Sequence, residues 1–203
     1  MADAETSRLV VGITGASGAV YGLRVLDALN ELGIESHLVV SRSAALTLKQ
    51  ETGLSPADLA RVASVAHRVG DVGASIASGS FRTLGMIIAP CSIRTMSEIA
   101  TGVTSTLLTR AADVTLKERR PLVLMVRETP FHLGHLRTMV RLAEIGATIA
   151  PPLPAFYAQP QTVEELVDQS VGRALDLFGL DWRAVRRWGR DVGPIAEAAE
   201  EPE

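Results

Sequence analysis

A short turn rich in glycine and serine carries the first indication of chemistry in this chain. The apolar residues Val10 to Ile13 lead into Gly15-Ala16-Ser17-Gly18, and helical periodicity begins after it. A helix that starts there presents unpaired backbone N–H groups and the positive end of its dipole, about half a charge, to an anion beside Ser17. The segment predicts a phosphate site, although glycines in such a turn can also serve backbone geometry alone.

The spacing of the glycines also indicates the kind of nucleotide. Dinucleotide folds use G-x-G-x-x-G and place an acidic residue at the end of the second strand, where it binds a ribose hydroxyl. Here Gly12, Gly15 and Gly18 give G-x-x-G-x-x-G, and the second predicted strand ends at Ser41. A serine hydroxyl can donate to a phosphate that a carboxylate would repel, so the pattern favours a mononucleotide such as FMN over NAD.

Polar residues also follow two later apolar segments. Ser92 comes directly after Pro90-Cys91, where its hydroxyl can cap the next helix and, together with Thr95, can also bind a ligand. Arg127 and Glu128 follow the uninterrupted apolar residues 122–126. Open parallel sheets bind ligands beyond the carboxyl ends of their strands, and arginine forks recognise phosphate, so these residues are candidates for the same site.

Two further groups of candidates also have purely structural explanations. The charge run from Arg110 to Arg120 contains the i,i+4 pair Asp113 and Lys117, which is typical of a solvated helix face. Tyr157 ends a proline-rich loop, where loop packing explains an aromatic residue as well as ligand binding does. The residues alone leave both alternatives open.

The apolar segments and the helical periodicity along the chain predict the strands and helices that would position these residues. Strands are predicted at Leu9–Thr14, Ser36–Val40, Met86–Ala89, Leu122–Val126 and Thr148–Ala150. Helices are predicted at Val20–Leu32, Ser43–Thr52, Pro56–Val62, Thr95–Ala100, Thr104–Lys117, Leu136–Ile145 and Val163–Phe178. Strands that are apolar throughout belong to a parallel sheet covered on both faces. The expected fold is α/β, a doubly wound open parallel sheet in a Rossmann-like or flavodoxin-like three-layer sandwich.

Composition bounds the class of protein. The 203 residues, 47% of them hydrophobic, suffice for one domain, expected over residues 1–189. Residues 190–203 hold five acidic residues and one basic residue, so a disordered acidic tail is expected there. With 20 basic and 23 acidic residues, the chain has neither the positive field of a nucleic-acid-binding protein nor a polybasic surface for membranes.

The cysteine and histidine residues indicate no metal and no disulfide framework. The single cysteine, Cys91, suits a reducing compartment. His132 and His135 are three residues apart, but no third ligand follows at a diagnostic position. Neither a signal peptide nor a membrane span is predicted, so a cytoplasmic location is expected.

Taken together, these segments resemble the flavin prenyltransferases. The motifs that carry the resemblance run in order between about Leu9 and about Trp188: GASGA at 15–19, ASGSF at 77–81, PCS at 90–92, RAADVTLKE at 110–118, VRETP at 126–130, PAFY at 154–157 and QPQ at 159–161. The related flavin-dependent cysteine decarboxylases share the glycine turn, but VRETP and PAFY point away from them. The joint pattern is far more specific than any one motif.

The resemblance implies a metal-independent transferase that joins the dimethylallyl group of dimethylallyl phosphate to N5 and C6 of reduced FMN. The product, prenylated FMN, would serve a UbiD-type decarboxylase as partner. The family also implies a closed homo-oligomer, a dodecamer, whose active sites lie where subunits meet.

The resemblance assigns roles residue by residue. FMN is expected against Gly15, Ala16, Ser17, Ser41, Ser92, Ile93, Arg94, Thr95 and Arg127. The prenyl phosphate is expected against Arg110, Lys117, Arg127, Glu128, Tyr157 and Arg173. Lys117 and Glu128 are expected to be catalytic, with Glu128 as the acid, because a carboxyl group beside a phosphate dianion holds its proton more tightly. Ser17 and Glu51 are expected to relay the proton that C6 loses.

Departures from the family pattern are small, and two alternatives stay open. Arg94 stands where lysine is frequent, and residues 103–106 replace a segment that often holds an aromatic residue. An oxidative cysteine decarboxylase would use a histidine base early in the chain, whereas the helix after Ser41 offers Lys49, Gln50 and Glu51. An FMN carrier or accessory subunit of a decarboxylase would not need Lys117, Glu128, Tyr157 and Arg173 together.

Overall fold

Six parallel strands form one open sheet in the computed structural model. They are β1 (Arg8–Ile13), β2 (Glu35–Val40), β3 (Val65–His67), β4 (Met86–Cys91), β5 (Leu122–Val126) and β6 (Ala147–Ile149). Their order across the sheet is β3-β2-β1-β4-β5-β6, and all neighbouring pairs are parallel. Successive strands are therefore added on one side of β1 up to β3 and on its other side from β4 onward. The boundary between β1 and β4 is the switch point where such sheets bind ligands.

Helices cover both faces of the sheet. They are α1 (Ala19–Glu31), α2 (Arg42–Thr52), α3 (Pro56–Val62), α4 (Ile93–Ala100), α5 (Leu107–Lys117), α6 (Leu133–Glu144) and α7 (Val163–Leu175). One apolar core lies between the sheet and α1, α2, α3 and α7, and the other lies beneath α4, α5 and α6. Successive strand residues, such as Val10 and Val11, face opposite cores. The predicted three-layer sandwich is confirmed.

The predicted strands and α-helices begin and end within three residues of the observed ones, and one strand was not predicted. The omitted element is β3, a three-residue strand at the edge of the sheet whose side chains are exposed or half-buried. An edge strand this short has no apolar run to mark it in the sequence. The predicted last helix also continues past α7 as a 3-10 turn at Asp176–Phe178.

The structure describes residues 7–194. Of the acidic tail predicted at 190–203, residues 195–203 lie outside the described part. Within residues 7–194, no helix combines the length and the apolar character needed to span a membrane.

The side chain of Thr14 joins the carboxyl ends of β1 and β4. Thr14 is 1% exposed, and its hydroxyl donates to the Pro90 carbonyl at 2.8 Å and accepts from the Ser92 N–H at 2.7 Å. Because both hydroxyl bonds are made in the interior, they fix the two strand ends relative to each other. The turn after β1 is thereby held beside the first turn of α4.

Candidate active site

The turns after β1, β4 and β5 surround one concavity, which we call the strand-end hollow. Its lining comprises residues 15–17 after β1, Ser92 and Ile93 after β4, and Arg127, Glu128 and Thr129 after β5. These are three of the segments that the sequence predicts to share a site. The fold brings them together because the carboxyl ends of parallel strands meet at one edge of the sheet.

Two glycines of the first turn are required by the backbone. A Cβ atom on Gly15 would lie 2.5 Å from the side chain of Ser43, so the turn packs directly against the start of α2. Gly18 is the N-cap of α1 with φ 102°, a left-handed conformation that favours glycine. Gly15 is therefore needed for the close contact between the turn and α2, and Gly18 for the left-handed N-cap of α1.

The N-terminus of α1 already holds an anion, the carboxylate of Glu51. This residue lies in the last turn of α2 and accepts hydrogen bonds from the N–H groups of Gly18 at 2.9 Å and Ala19 at 2.8 Å. Burial opposes its ionisation, but hydrogen bonds from Ser17, Ala19 and Gly18 and the charge of Arg127 outweigh burial and lower the pKa of Glu51. Ser17 and Glu51, which the resemblance pairs as a proton relay, are thus joined by a hydrogen bond. The predicted phosphate site at this helix terminus is wrong, because the carboxylate occupies it.

A second concavity, which we call the three-helix groove, lies where α2, α4 and α5 begin. The groove is lined by Ser41, Arg42, Ser43, Arg94, Thr95 and Thr106, among others. Each helix has a hydroxyl N-cap, Ser41, Ser92 or Thr106, that accepts one backbone N–H of its own first turn. The other N–H groups of each first turn have no partner within the helix. Three positive helix ends and Arg42 favour an anion here. The second arginine, Arg94, donates to Glu98, which also lines the groove, at 2.9 Å.

The three-helix groove and the strand-end hollow adjoin at two contacts. Gly15 of the hollow packs on Ser43 of the groove, and the Ser92 hydroxyl accepts from the Thr95 N–H at 3.3 Å. Their volumes, about 390 and 380 Å³, are both within the usual range of small-ligand sites, roughly 300–1,000 Å³. Together they suit an elongated ligand with an anionic group at one end.

Tyr157 and Arg173 lie in a third concavity, the C-terminal hollow, whose lining is completed by Arg186, Arg187 and Trp188. The Trp188 ring stands edge-on to the Tyr157 ring, with 5.9 Å between their centroids. The structure thus brings together the predicted pair Tyr157 and Arg173. They line a different hollow from Arg127 and Glu128.

The C-terminal hollow has its own counter-charge. The guanidinium of Arg187 donates two hydrogen bonds to the carboxylate of Asp176, at 2.9 and 2.7 Å. Arg173 also donates to this carboxylate. An anion that binds Arg173 in the hollow must therefore either share the Arg173 guanidinium with Asp176 or displace Asp176 from it.

Comparison with known proteins decides the family. A family model of flavoproteins matches residues 2–175. The flavin prenyltransferase UbiX of Thauera aromatica is 57% identical over 192 residues, which cover 94% of this chain and 99% of that protein. The chain belongs to the flavin prenyltransferases, within the flavoprotein family.

Two crystal structures extend the agreement to three dimensions. The structure of AnUbiX (PadA1), in complex with FMN and dimethylallyl pyrophosphate, has a TM-score of 0.89 and 48% identity, covering 91% of this chain and 98% of that one. A dodecameric FMN-dependent UbiX-like decarboxylase from Escherichia coli O157:H7 has a TM-score of 0.87 and 47% identity, covering 89% and 98%. The prenyltransferase fold therefore spans nearly the whole chain.

The family assignment makes the position of Lys117 informative. Helix α5 begins at the three-helix groove and runs back toward the amino ends of the strands, so Lys117 lies about 15 Å along the axis from Leu107. Its ammonium group pairs with Glu118. Within a single chain Lys117 therefore lies away from Arg127 and Glu128, because α5 is antiparallel to the strands, and its expected place beside them stays a prediction.

Arg110 and Asp113 form the ion pair on the exposed face of α5. Arg110 Nη1 donates to Asp113 Oδ2 at 2.8 Å. The predicted pair between Asp113 and Lys117 is wrong, since each has a different partner. Arg110 retains 37% exposure and Lys117 47% in their side chains, so both cations are accessible on the surface of the chain.

Sequence reasoning missed several residues that the fold brings to these concavities. Arg42 and Thr106 line the three-helix groove, and the segment 186–188 lines the C-terminal hollow. Thr106 could have been found, because a threonine before a periodic segment is an N-cap signal. The segment 186–188 carries no periodicity, so the sequence gives no sign of its place.

Cys91 and the paired histidines have structural roles. Cys91 is fully buried, and burial raises the pKa of its thiol to about 12, so it is not a nucleophile at neutral pH. His132 is the N-cap of α6 and accepts from the Gly134 N–H at 3.0 Å, while its ring packs on His135. Between residues 7 and 194, no group of three or more His, Cys, Asp and Glu side chains is placed to hold a metal ion.

Proposed function

We propose that this flavin prenyltransferase transfers a dimethylallyl group from dimethylallyl phosphate to N5 and C6 of reduced FMN, releasing phosphate. The prenylated FMN then serves a UbiD-type decarboxylase. The observation that carries the proposal is the convergence of Ser17, Arg127 and Glu128 on one hollow that adjoins an anion-binding groove. A site of this shape can hold a flavin and a phosphate ester side by side.

The three-helix groove fits the phosphate of FMN. Three helix N-termini and Arg42 give it positive charge, and Arg94 can exchange its partner Glu98 for the phosphate. Glu51 fills the competing terminus of α1. The isoalloxazine ring then extends past Gly15 and Ser92 into the strand-end hollow. In this orientation Ser17 and Arg127 lie against the flavin, as the family resemblance implies.

Glu128 and the cations have separate tasks in breaking the allylic C–O bond. As that bond breaks, negative charge grows on the departing phosphate, and Arg127 stabilises it by donating hydrogen bonds. Tyr157 and Arg173 line the separate C-terminal hollow, so they reach the same phosphate from a neighbouring copy of the chain. Glu128, exposed beside Arg127 at the end of β5, donates the proton that the leaving phosphate takes up. N5 forms the first bond to the allyl carbon.

Ser17 and Glu51 are placed to accept the proton lost from C6 when the second bond closes the new ring. The Ser17 hydroxyl donates to the Glu51 carboxylate, so Ser17 can accept a proton from the flavin as it passes its own to Glu51. The lowered pKa of Glu51 keeps the acceptor ionised at neutral pH. The reactants are held in contact, so positioning supplies much of the rate.

We further propose that the chain works as a closed homo-oligomer, a dodecamer, in which a neighbouring copy supplies Lys117. The dodecameric structure from Escherichia coli O157:H7 supports this assembly. The position of Lys117 supports the shared site, because its ammonium lies at the edge of the sheet opposite the strand-end hollow. A closed assembly can bring that edge of one copy to the hollow of the next.

The alternatives are less well supported. A cysteine decarboxylase would need a histidine base, but α2 presents Lys49, Gln50 and Glu51, and Glu51 is committed to the N-terminus of α1. A carrier that only binds FMN would not need Glu128 beside Arg127 in the strand-end hollow. Neither function explains the arginine and tyrosine of the C-terminal hollow.

Mass spectrometry of the flavin tests the proposal directly. The protein is incubated anaerobically with reduced FMN and dimethylallyl phosphate, and the flavin is then extracted. The expected product is FMN that has gained one C5H8 unit, with one phosphate released per flavin. Unmodified FMN after incubation with FMN-saturated protein would refute the transferase function and leave the carrier.

A further inference from the structure

Gln169 is a buried amide near the middle of α7 whose hydrogen bonds join two separate segments. It is 3% exposed, and the other buried side chains of α7, among them Val167 and Val171, are apolar. A polar side chain costs free energy in such a place unless it is fully hydrogen-bonded. The partners of Gln169 therefore indicate what it contributes.

The amide of Gln169 uses both of its ends. Its Oε1 accepts from the Arg186 N–H at 3.0 Å, and its Nε2 donates to the Arg186 carbonyl at 3.0 Å and to the Tyr157 hydroxyl oxygen at 3.1 Å. The bond from the backbone N–H of Arg186 fixes which end of the amide is oxygen, because that end must accept. The Nε2 group therefore faces Tyr157.

This orientation sets the direction of the Tyr157 hydroxyl. Nε2 is a donor only, so the Tyr157 oxygen accepts in this bond and the phenolic proton is free to donate elsewhere. Tyr157 is 41% exposed and lines the C-terminal hollow beside Arg173. The free O–H group can therefore donate to an anion held by Arg173.

The same amide also fixes the position of the segment 186–188, which lines the C-terminal hollow. It fixes the backbone of Arg186, whose guanidinium donates to the Ala158 carbonyl at 2.7 Å. Trp188, two residues further on, packs edge-on against Tyr157. On α7 itself, Arg173 follows Gln169 by one turn and so lies on the same side of the helix.

We infer that Gln169 is a positioning residue for the prenyl phosphate: it holds Tyr157 with its proton directed to the C-terminal hollow, where that proton and Arg173 bind the phosphate. The inference rests on the proposed function for the identity of the ligand. It assigns to Gln169 a role in binding the donor and none in binding FMN, because the three-helix groove contains no part of α7.

Two substitutions of Gln169 test the link to Tyr157. Gln169→Leu removes all three hydrogen bonds with little change of volume. Gln169→Glu keeps an acceptor for the Arg186 N–H, but its second carboxylate oxygen accepts the Tyr157 hydroxyl proton, which then no longer faces the hollow. Both are expected to raise the KM for dimethylallyl phosphate about five- to tenfold, the effect of one hydrogen bond. The Kd for FMN should stay at the parent value. Ser170→Ala is the control, because Ser170 bonds only within α7 at the Leu166 carbonyl.

A double-mutant cycle distinguishes positioning from general structure. If Gln169 acts through the Tyr157 hydroxyl, Gln169→Leu should add nothing to the KM of a Tyr157→Phe protein. Additive effects, or a parent-like KM in both Gln169 variants, would overturn the inference. Should Gln169→Leu fail to fold, the Gln169→Glu protein carries the same comparison.

Calorimetry separates this inference from the proposed function. Dimethylallyl phosphate is titrated into each protein loaded with oxidised FMN, where no transfer occurs. Weaker binding to the Gln169 variants than to the parent supports the inference even if the parent forms no prenylated FMN. Equal binding by all the proteins, or no binding by the parent, contradicts it.

Discussion

The carboxylate of Glu51 lies 2.9 Å from the backbone nitrogen of Gly18, at the helix terminus where many α/β folds bind a phosphate. A carboxylate of the chain itself thus neutralises the positive end of α1 at the first glycine turn. In the proposed binding mode, the phosphate of FMN lies in the adjoining three-helix groove, and Ser17 of the glycine turn faces the flavin ring.

Glu51→Gln should lower the free energy of unfolding by about 1 kcal/mol at pH 7, because an amide is a weaker acceptor for the first turn of α1. The pKa of Glu51 is lowered in the folded protein, so its contribution is complete above the ordinary value of 4.5 and is lost as the pH falls through the lowered value. Urea denaturation at several pH values should therefore show the deficit shrinking below pH 4.5. A deficit independent of pH would contradict this role. Glu144→Gln, on the exposed part of α6, is the control.

Thr14→Val should destabilise the protein by about 1–3 kcal/mol, since it leaves the buried Pro90 carbonyl and Ser92 N–H without their hydroxyl partner. Thr14→Ser keeps the hydroxyl and should cost less. The comparison is made by urea denaturation. Equal loss in the two variants would show that the methyl group matters and the hydroxyl does not.

Arg94→Ala should weaken the binding of FMN about tenfold, the value of one charge-assisted hydrogen bond, and leave the binding of riboflavin nearly unchanged. Riboflavin lacks the phosphate that the three-helix groove is proposed to hold. Fluorescence titration of both flavins gives the two Kd values, and Arg61→Ala, on the exposed face of α3, serves as the control. Equal weakening for both flavins would place the phosphate elsewhere.

Glu128→Gln should keep FMN binding and lose roughly 10²–10⁴-fold in the rate of prenyl transfer, because an amide cannot give a proton to the departing phosphate. Single-turnover experiments with saturating dimethylallyl phosphate measure that rate. A Glu128→Gln protein that reacts at the parent rate would show that Glu128 is not the acid.

Lys117→Ala should raise the KM for dimethylallyl phosphate, and high donor concentration should recover part of the loss. If a neighbouring copy supplies Lys117, mixing the Lys117→Ala and Glu128→Gln proteins after dissociation and reassembly should restore some activity, because some sites then contain both native residues. The mixture is assayed against each variant alone, and light scattering should give a mass far above the 21.6 kDa of one chain. A monomeric mass, or a mixture no more active than its parts, would refute the shared site.

The sequence by itself determined the sheet, its parallel strands and the segments at the strand ends. Strands such as β5 are apolar at every position because both faces are covered, and this pattern is local in the chain. The positions of Ser17, Ser92 and Arg127 are equally local, because each lies in the turn that follows a strand of the same sheet. The family motifs added the identity of the ligands.

Only the tertiary structure decided which charges meet. Glu51 stands 33 residues from Gly18, and no local pattern shows that its carboxylate fills the terminus of α1. Lys117 and Arg127 are close in sequence, yet α5 carries Lys117 away from the hollow because it runs antiparallel to the strands. Gln169 reads as a polar residue in an amphipathic helix, and its role follows from contacts with Tyr157 and Arg186 that folding alone creates. Ion pairs and buried amides depend on distances between elements, and these are set by packing and not by sequence spacing.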